Sequence, residues 1–188
     1  MGRVVGQGDM GKRGFRDVSG FTLIEMLVTV VVVGVLLTVA APAFLGSVNE
    51  NETRTQAMRL ASSLNLARSE AAKENVPVVL CPSTDSATCS ADETDLRDGW
   101  LVFADRDDDN TLDSDELIQI YHGLPRGYSV RLKNDSAQVS YFPDGSTSGE
   151  EVITTCPPND DDKRAWSVIV RPVGSPRLSR PVAGVLCS

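Results

Sequence analysis

"SGFTLIEMLVTVVVVGVLLTVAAPAF", residues Ser19–Phe44, is a strongly apolar run that carries a single acid, Glu25, near its start. No side chain from Met26 to Asn49 is charged. About 20 consecutive apolar residues are enough to cross a bilayer as a helix. The valines would favour a strand in water, but in lipid the backbone must satisfy its own hydrogen bonds, which favours a helix. The sequence therefore predicts a transmembrane helix over residues 21–44.

The residues before this run are hydrophilic and basic, and Gly20 stands at the boundary. An ordinary secretory signal is cut after its apolar centre, whereas a cut at Gly20 would retain the apolar run. The sequence Gly-Phe-Thr-Leu-Ile-Glu, residues 20–25, resembles the prepilin signal of type IV pilins and type II secretion pseudopilins. The resemblance implies that residues 1–20 are a leader, that a prepilin peptidase cuts between Gly20 and Phe21, and that the new amine of Phe21 is methylated.

Glu25 requires a physical explanation, because a carboxylate inside a bilayer costs at least ~2.5 kcal/mol. The amine of the mature chain would lie four positions earlier, about 6 Å along a helix. The resemblance implies that Glu25 pairs with this amine on a neighbouring subunit, which would neutralise both charges in lipid. The alternative is a helix that only anchors a solitary domain in the membrane, with the Glu25 side chain extending to the membrane–water interface. Pro42 is expected to kink or locally melt the helix, and a proline near this position is a common pilin feature.

Beyond the apolar run, the hydrophobic pattern remains helical. Asn75 and Pro77 then end the helix. The sequence thus predicts an N-terminal helix over residues 21–75, with a transmembrane part at 21–44 and an amphipathic part at 45–75. The apolar positions that recur at i, i+3, i+4 and i+7 are Ala57, Leu60, Ala61, Leu64, Ala67 and Ala71.

The remaining residues, 76–188, are expected to form a head of short strands separated by turns. The expected fold class is α+β, with a long N-terminal transmembrane helix packed on an antiparallel sheet. The predicted strands are Val76–Cys81, Trp100–Ala104, Leu117–Tyr121, Tyr128–Leu132, Val139–Phe142, Val152–Thr155, Ala165–Val170 and Val182–Leu186.

Four head segments resemble the FimT/GspH group of minor pilins and pseudopilins, namely Asp98–Ile118, Gly123–Val130, Val139–Gly149 and Arg164–Arg177. The resemblance implies a structural subunit of the bacterial inner membrane, with its head in the periplasm. Such a subunit helps to initiate or cap a type IV pilus or a type II secretion pseudopilus, and it assembles with other minor and major pilins through helix bundling. It requires no cofactor. The alternative implied by the same group is a DNA-binding minor pilin for natural transformation.

The four cysteines all follow the apolar run. An even number of cysteines after an export segment indicates an oxidising compartment. We favour the pairs Cys81–Cys89 and Cys156–Cys187, because the first closes a short local loop and leaves the two late residues together. Free buried thiols are the alternative, since spacing alone does not establish a bridge.

The stretch "DRDDDNTLDSDE", Asp105–Glu116, has oxygen-bearing residues at the spacings of an EF-hand calcium loop. Asn110 replaces the usual glycine at the sixth position, and asparagine tolerates a left-handed backbone better than most residues. A Ca²⁺ site is one interpretation, and a solvated acidic hairpin loop is the other. The candidate ligands are Asp105, Asp107, Asp109, Thr111 (through its carbonyl), Asp113 and Glu116.

Arg171, Arg177 and Arg180 form a basic cluster near the carboxy terminus that could contact phosphates. The net charge of −8 argues against a general nucleic-acid binder, and the alternative is that these arginines pair with nearby carboxylates. His122 is the only histidine, so a histidine-dependent triad or zinc site would rest on it alone. We therefore expect a protein that is not an enzyme.

Overall fold

The computed structural model describes residues 20–90, 95–133, 138–181 and 187. The chain divides into two compact units, Met1–Ala41 and Pro42–Ser188. Helix α1, Leu23–Glu74, contributes residues to both units. The predicted leader, apart from Gly20, lies outside the described residues.

The first turn of α1 follows Thr22, whose side-chain oxygen accepts a hydrogen bond from the backbone N–H of Glu25 (3.3 Å). This contact satisfies one of the free donors at the helix start. The helical assignment continues through Pro42, so local melting at this proline is not seen. Among the described residues, no helix meets the combination of length and apolar character that a bilayer crossing needs. The transmembrane segment predicted at 21–44 stays a prediction.

The carboxy-terminal part of α1 is the central element of the head. Its predicted apolar positions, from Ala57 to Ala71, are all buried, as the helical periodicity indicates. Most of them are alanines, so the helix backbone can approach the strands closely. The helix ends at Glu74, and Asn75 follows in the left-handed conformation with φ 58°. Asparagine tolerates this conformation, which explains the predicted stop.

In the part of the chain that the structure describes, eight strands form two four-stranded antiparallel sheets, ordered β3-β2-β1-β5 and β4-β6-β7-β8. Two short 3-10 helices, Leu96–Asp98 and Asp162–Arg164, lie in the connections. The strands are β1 Val78–Pro82, β2 Gly99–Ala104, β3 Leu117–His122, β4 Ser129–Leu132, β5 Val139–Tyr141, β6 Glu151–Cys156, β7 Trp166–Val170 and β8 Pro176–Ser179.

Both sheets and α1 share one hydrophobic core. Alternate residues of a strand point to opposite faces, so Val78 and Leu80 of β1 join this core while Val79 and Cys81 lie on the other face. The second sheet contributes residues of β4, β6 and β7, including Ile153. The predicted α+β architecture, a helix packed on antiparallel sheet, is confirmed.

Seven of the predicted strands correspond to β1–β7 with ends that differ by at most two residues. The last strand of the described chain, β8, was not predicted. It starts at Pro176 and pairs with β7, with Leu178 opposite Val168. The strand predicted at Val182–Leu186 lies outside the described residues.

Both predicted disulfide bonds are present, Cys81–Cys89 and Cys156–Cys187. The second one ties the penultimate residue of the chain to the end of β6, and the backbone N–H of Cys187 donates to Asp162 (2.7 Å). The alternative of free thiols is wrong for these four residues, which are all the cysteines of the chain.

Candidate functional site

The exposed side of α1 within the head carries a continuous row of uncharged residues. Their spacing alternates between four and three, the spacing by which a helix presents one stripe to a partner helix. We call this row the exposed seam. It consists of Phe44, Val48, Asn51, Thr55, Met58, Ser62, Asn65, Ser69 and Ala72, and all nine side chains are exposed.

Three of the five polar residues of the exposed seam donate side-chain hydrogen bonds back to the helix. The hydroxyl of Thr55 donates to the carbonyl of Asn51 (2.9 Å), and that of Ser69 donates to the carbonyl of Leu66 (2.9 Å). The side-chain amide of Asn65 donates to the carbonyl of Ala61 (2.9 Å). Donors that are already satisfied cost less to bury, and small side chains allow two helices to approach closely. The exposed seam is therefore suited to packing against other helices.

A set of aromatic contacts fixes α1 to the first sheet. Arg59 lies over the ring of Trp100 at 4.8 Å and over that of Tyr121 at 5.9 Å, and it also donates to the carbonyl of His122. The two rings stack with centroids 5.3 Å apart. The indole N–H of the buried Trp100 donates to the hydroxyl of Ser63 (3.0 Å). The His122 side chain itself is exposed at the end of β3, so its carbonyl is the group that takes part here.

A second set of contacts, the arginine clamp, fixes α1 to the second sheet. It consists of Arg54, Glu50, Trp166 and Arg180. The guanidinium of Arg180 lies 4.4 Å from the centre of the Trp166 ring, and that of Arg54 lies 5.3 Å from it. Arg180 also forms an ion pair with Glu50 and donates to the carbonyl of Lys163 (3.2 Å). Arg180 therefore joins the end of β8 to the helix.

One of the three arginines predicted to contact DNA, Arg180, belongs to the arginine clamp. Arg171 and Arg177 are exposed, whereas Arg180 is engaged by Glu50 and Trp166. The alternative that these arginines pair with nearby carboxylates holds for Arg180. The arrangement does not favour a phosphate site built on all three residues.

The segment Asp105–Glu116, which we call the acidic loop, brings three of its predicted calcium ligands together. Carboxylate oxygens of Asp105, Asp107 and Asp109 lie within 4.8 Å of one another. Asp105 is buried, and its two oxygens accept from the backbone N–H groups of Asp109 (3.0 Å) and Asn110 (3.2 Å). Asn110 has φ 57°, the left-handed backbone that glycine usually supplies at the sixth position of such a loop. Partial desolvation, and then the charge of Asp109, raise the pKa of Asp107.

The other predicted ligands are engaged differently. Glu116 is buried, and its oxygens accept from the backbone N–H groups of Arg106 (2.6 Å) and Asp113 (3.2 Å). Thr111 donates its hydroxyl to Asp109 (2.6 Å). Calcium binding stays a prediction for this loop, and titration calorimetry with Ca²⁺ tests it: no heat above dilution at millimolar calcium would exclude the site.

The predicted processing residues Gly20 and Phe21 lie just before α1, whereas the predicted assembly residues Glu25 and Pro42 lie within it. Phe21 is 85% exposed, and Gly20 and Glu25 are also exposed. The side of the helix start that carries them is therefore open to solvent in the isolated subunit. The exposed seam and the arginine clamp were both missed from sequence. The sequence signal for the exposed seam is the absence of charged residues at its positions. The apolar periodicity of the opposite, buried face does not report it.

Comparison with known proteins gives two family matches. The model described as "Type II transport protein GspH" matches residues 56–174, and the one described as "Prokaryotic N-terminal methylation motif" matches residues 12–41. No curated protein matches the sequence significantly.

Among solved structures, the minor pilin FimU of Pseudomonas aeruginosa is similar, with a TM-score of 0.56 and 17% identity over 72% of this chain and 99% of that one. The minor pseudopilin EpsH of Vibrio cholerae has a TM-score of 0.50 and 15% identity over 69% of this chain and 98% of that one. At such identities, the likeness extends to the fold alone. Because the GspH model covers more than half of the residues, with the methylation motif ahead of it, the chain belongs to the GspH family of pilin-like proteins.

Proposed function

We propose that this protein is a structural subunit, a minor pilin or pseudopilin, that helps to initiate or cap a type IV pilus or a type II secretion pseudopilus. Its residues 21–44 anchor it in the inner membrane with the head in the periplasm. It acts through helix packing and carries out no reaction of its own. Its partners are the prepilin peptidase and other minor and major pilins or pseudopilins.

The exposed seam is the observation that carries this proposal. A helix whose outer side faces water normally carries charged and polar residues there. Between Asn51 and Ala72, a span that the structure describes in full, the only charged residue that is exposed is Arg54, and it leans over Trp166. An outer side without free charge is expected where the helix is covered by other helices.

Processing and the role of Glu25 complete the proposal. The match to the methylation motif supports cleavage between Gly20 and Phe21. Cleavage would place an amine four residues before Glu25, and the two opposite charges would stabilise contact between subunits in lipid. Mass spectrometry of the membrane-extracted protein should find a methylated Phe21 at the terminus. Retention of Met1, or a terminus beyond residue 44, would refute this part.

A charge placed in the exposed seam tests the assembly role. Ser62→Glu should abolish or strongly reduce filament assembly or secretion, because a buried carboxylate without a partner costs several kcal/mol. Ser148→Glu is the matched control, since it makes the same change at an exposed position of the head outside the helix, and it should assemble normally.

Both variants should accumulate to the wild-type level and melt at the wild-type temperature, since both positions are exposed. Assembly by Ser62→Glu at the wild-type level would contradict the proposal. If Ser62→Glu fails to accumulate, cross-linking of Ser62→Cys to other pilins replaces it, and no captured pilin would also count against the proposal.

A further inference from the structure

The outer face of the first sheet carries its own small hydrophobic cluster, the second core. Val79 and Cys81 of β1 lie opposite Phe103 and Leu101 of β2, and all four side chains are fully buried. This face points away from the main core, so other segments must cover it. The half-buried residues packed against it are Cys89, Leu112 and Ile120.

Two loops supply most of this cover. Residues 83–90, the covering loop, contribute Cys89, and the acidic loop contributes Leu112. The two loops meet around Leu112, in two adjoining surface clefts of about 300 Å³ and 260 Å³. One cleft is lined by Thr88, Cys89 and Leu112 among others, and the other by Ala87, Leu112 and Leu117 among others.

The covering loop is well formed by itself. The carboxylate of Asp85 accepts from the backbone N–H groups of Ala87 and Thr88 (both 2.8 Å) and from the hydroxyl of Ser83 (3.1 Å). The backbone N–H of Ser90 donates to the carbonyl of Pro82 (2.9 Å). These bonds hold the shape of the loop, whereas the Cys81–Cys89 bond ties it covalently to the second core.

We propose that the Cys81–Cys89 disulfide is a redox latch that closes the covering loop over the second core. When this bond is reduced, the covering loop keeps its Asp85-centred turn but moves off the second core. The side chains of Leu101 and Phe103 then become exposed to solvent. The main core, which lies on the opposite face of the sheet, stays intact.

Closure is a two-electron oxidation. The thiols of Cys81 and Cys89 lose two electrons and two protons as their S–S bond forms. The acceptor is the disulfide of a thiol–disulfide oxidoreductase, whose S–S bond breaks as it becomes a dithiol. The head is thus completed only in a compartment that contains such an oxidant.

The full-length chain in mild detergent allows a direct test by mass spectrometry. The Cys81→Ser/Cys89→Ser variant is compared with the wild type and with the matched control Cys156→Ser/Cys187→Ser. Hydroxyl-radical footprinting reports solvent access to Leu101 and Phe103, and hydrogen exchange reports the covering loop. The control variant reduced after folding opens only the Cys81–Cys89 bond and gives the same comparison without substitution at these two residues.

We expect oxidation of Leu101 and Phe103 to rise several-fold in the latch variant and in the reduced control variant. Exchange at the backbone N–H of Ser90, whose bond to Pro82 closes the base of the loop, should quicken on the order of 70-fold, the entropy effect of opening a short disulfide loop. Residues 151–156 and 166–170 should exchange in the latch variant as in the wild type, and in the reduced control variant as in the oxidised one. The oxidised control variant should leave Phe103 protected.

Two results would overturn the latch. Wild-type protection of Phe103 in both the latch variant and the reduced control variant would mean that packing alone holds the covering loop in place. Loss of protection in residues 151–156 and 166–170 as well would mean that this disulfide supports the whole head and is no local latch.

Discussion

Replacement of Arg180 by alanine should loosen the attachment of α1 to the second sheet. Arg180 lies 4.4 Å from the centre of the Trp166 ring and pairs with Glu50, while the two charged side chains remain 53% and 37% exposed. A solvent-exposed ion pair of this kind contributes roughly 0.2–1 kcal/mol. A cation over an indole ring contributes about 0.5–1 kcal/mol at an exposed site. The expected loss of unfolding free energy is therefore about 1–2 kcal/mol.

Urea and thermal denaturation of residues 42–188, which form one compact unit, measure this loss. For a domain of this size, 1 kcal/mol corresponds to about 2–4 °C in the melting temperature, so Arg180→Ala should melt about 2–8 °C below the wild type. Arg180→Lys keeps the charge but loses the planar stacking over Trp166. Its melting temperature should therefore lie between those of Arg180→Ala and the wild type. Arg177→Ala, at an exposed position on the neighbouring strand β8, is the control and should change little.

A double-mutant cycle separates the two contacts of Arg180. The coupling between Arg180→Ala and Glu50→Ala should be about 0.5 kcal/mol and should shrink as salt is added, since screening weakens an exposed pair. The coupling between Arg180→Ala and Trp166→Leu should persist in salt. If Arg180→Ala is as stable as the wild type within about 0.3 kcal/mol, the clamp contributes nothing and the reasoning fails.

Three further substitutions follow from single contacts. Gly174→Ala should unfold or misfold the head, because an added Cβ would lie 1.8 Å from the carbonyl oxygen of Gly145; normal expression and melting would contradict this. Ser63→Ala should cost about 1 kcal/mol in urea denaturation, since the buried indole N–H of Trp100 loses its acceptor; a wild-type midpoint would mean that another acceptor replaces it. Hydrogen bonds from its own loop lower the pKa of Asp85, so its stabilising effect is complete above the unfolded pKa near 4 and is lost as the pH falls toward the folded pKa. Asp85→Asn should therefore bring the midpoints of variant and wild type together as the pH falls below about 4, and a constant difference would contradict the assignment.

Much of the fold could be predicted because it depends on local signals. The buried face of α1 follows from the spacing of its alanines and leucines, and the helix end follows from Asn75 and Pro77. Both disulfides follow from the short separation of Cys81 and Cys89, which leaves one pairing for the other two cysteines. In each case the information lies within a few residues or in simple elimination.

The parts that could not be predicted depend on long-range contacts. Strand β8 has the sequence Pro-Arg-Leu-Ser, which lacks the β-branched and aromatic residues that favour strands. It forms because β7 offers a free edge and because Leu178 pairs with Val168. Arg180 meets a partner 130 positions away in sequence, and no local pattern could associate it with Glu50.

The arginines of α1 explain why the exposed seam is free of charge. Arg54, Arg59 and Arg68 all turn sideways to the head, where they meet Trp166, Trp100 and the carbonyl of Gly145, respectively. A helix that only had to cover its own sheets would gain solubility from arginines on its outer side. Here each arginine instead stabilises the contact between helix and head, and the outer side keeps residues that can be buried at low cost. The same three residues thus attach the head and leave the exposed seam available to other helices, which is the division of roles expected of a filament subunit.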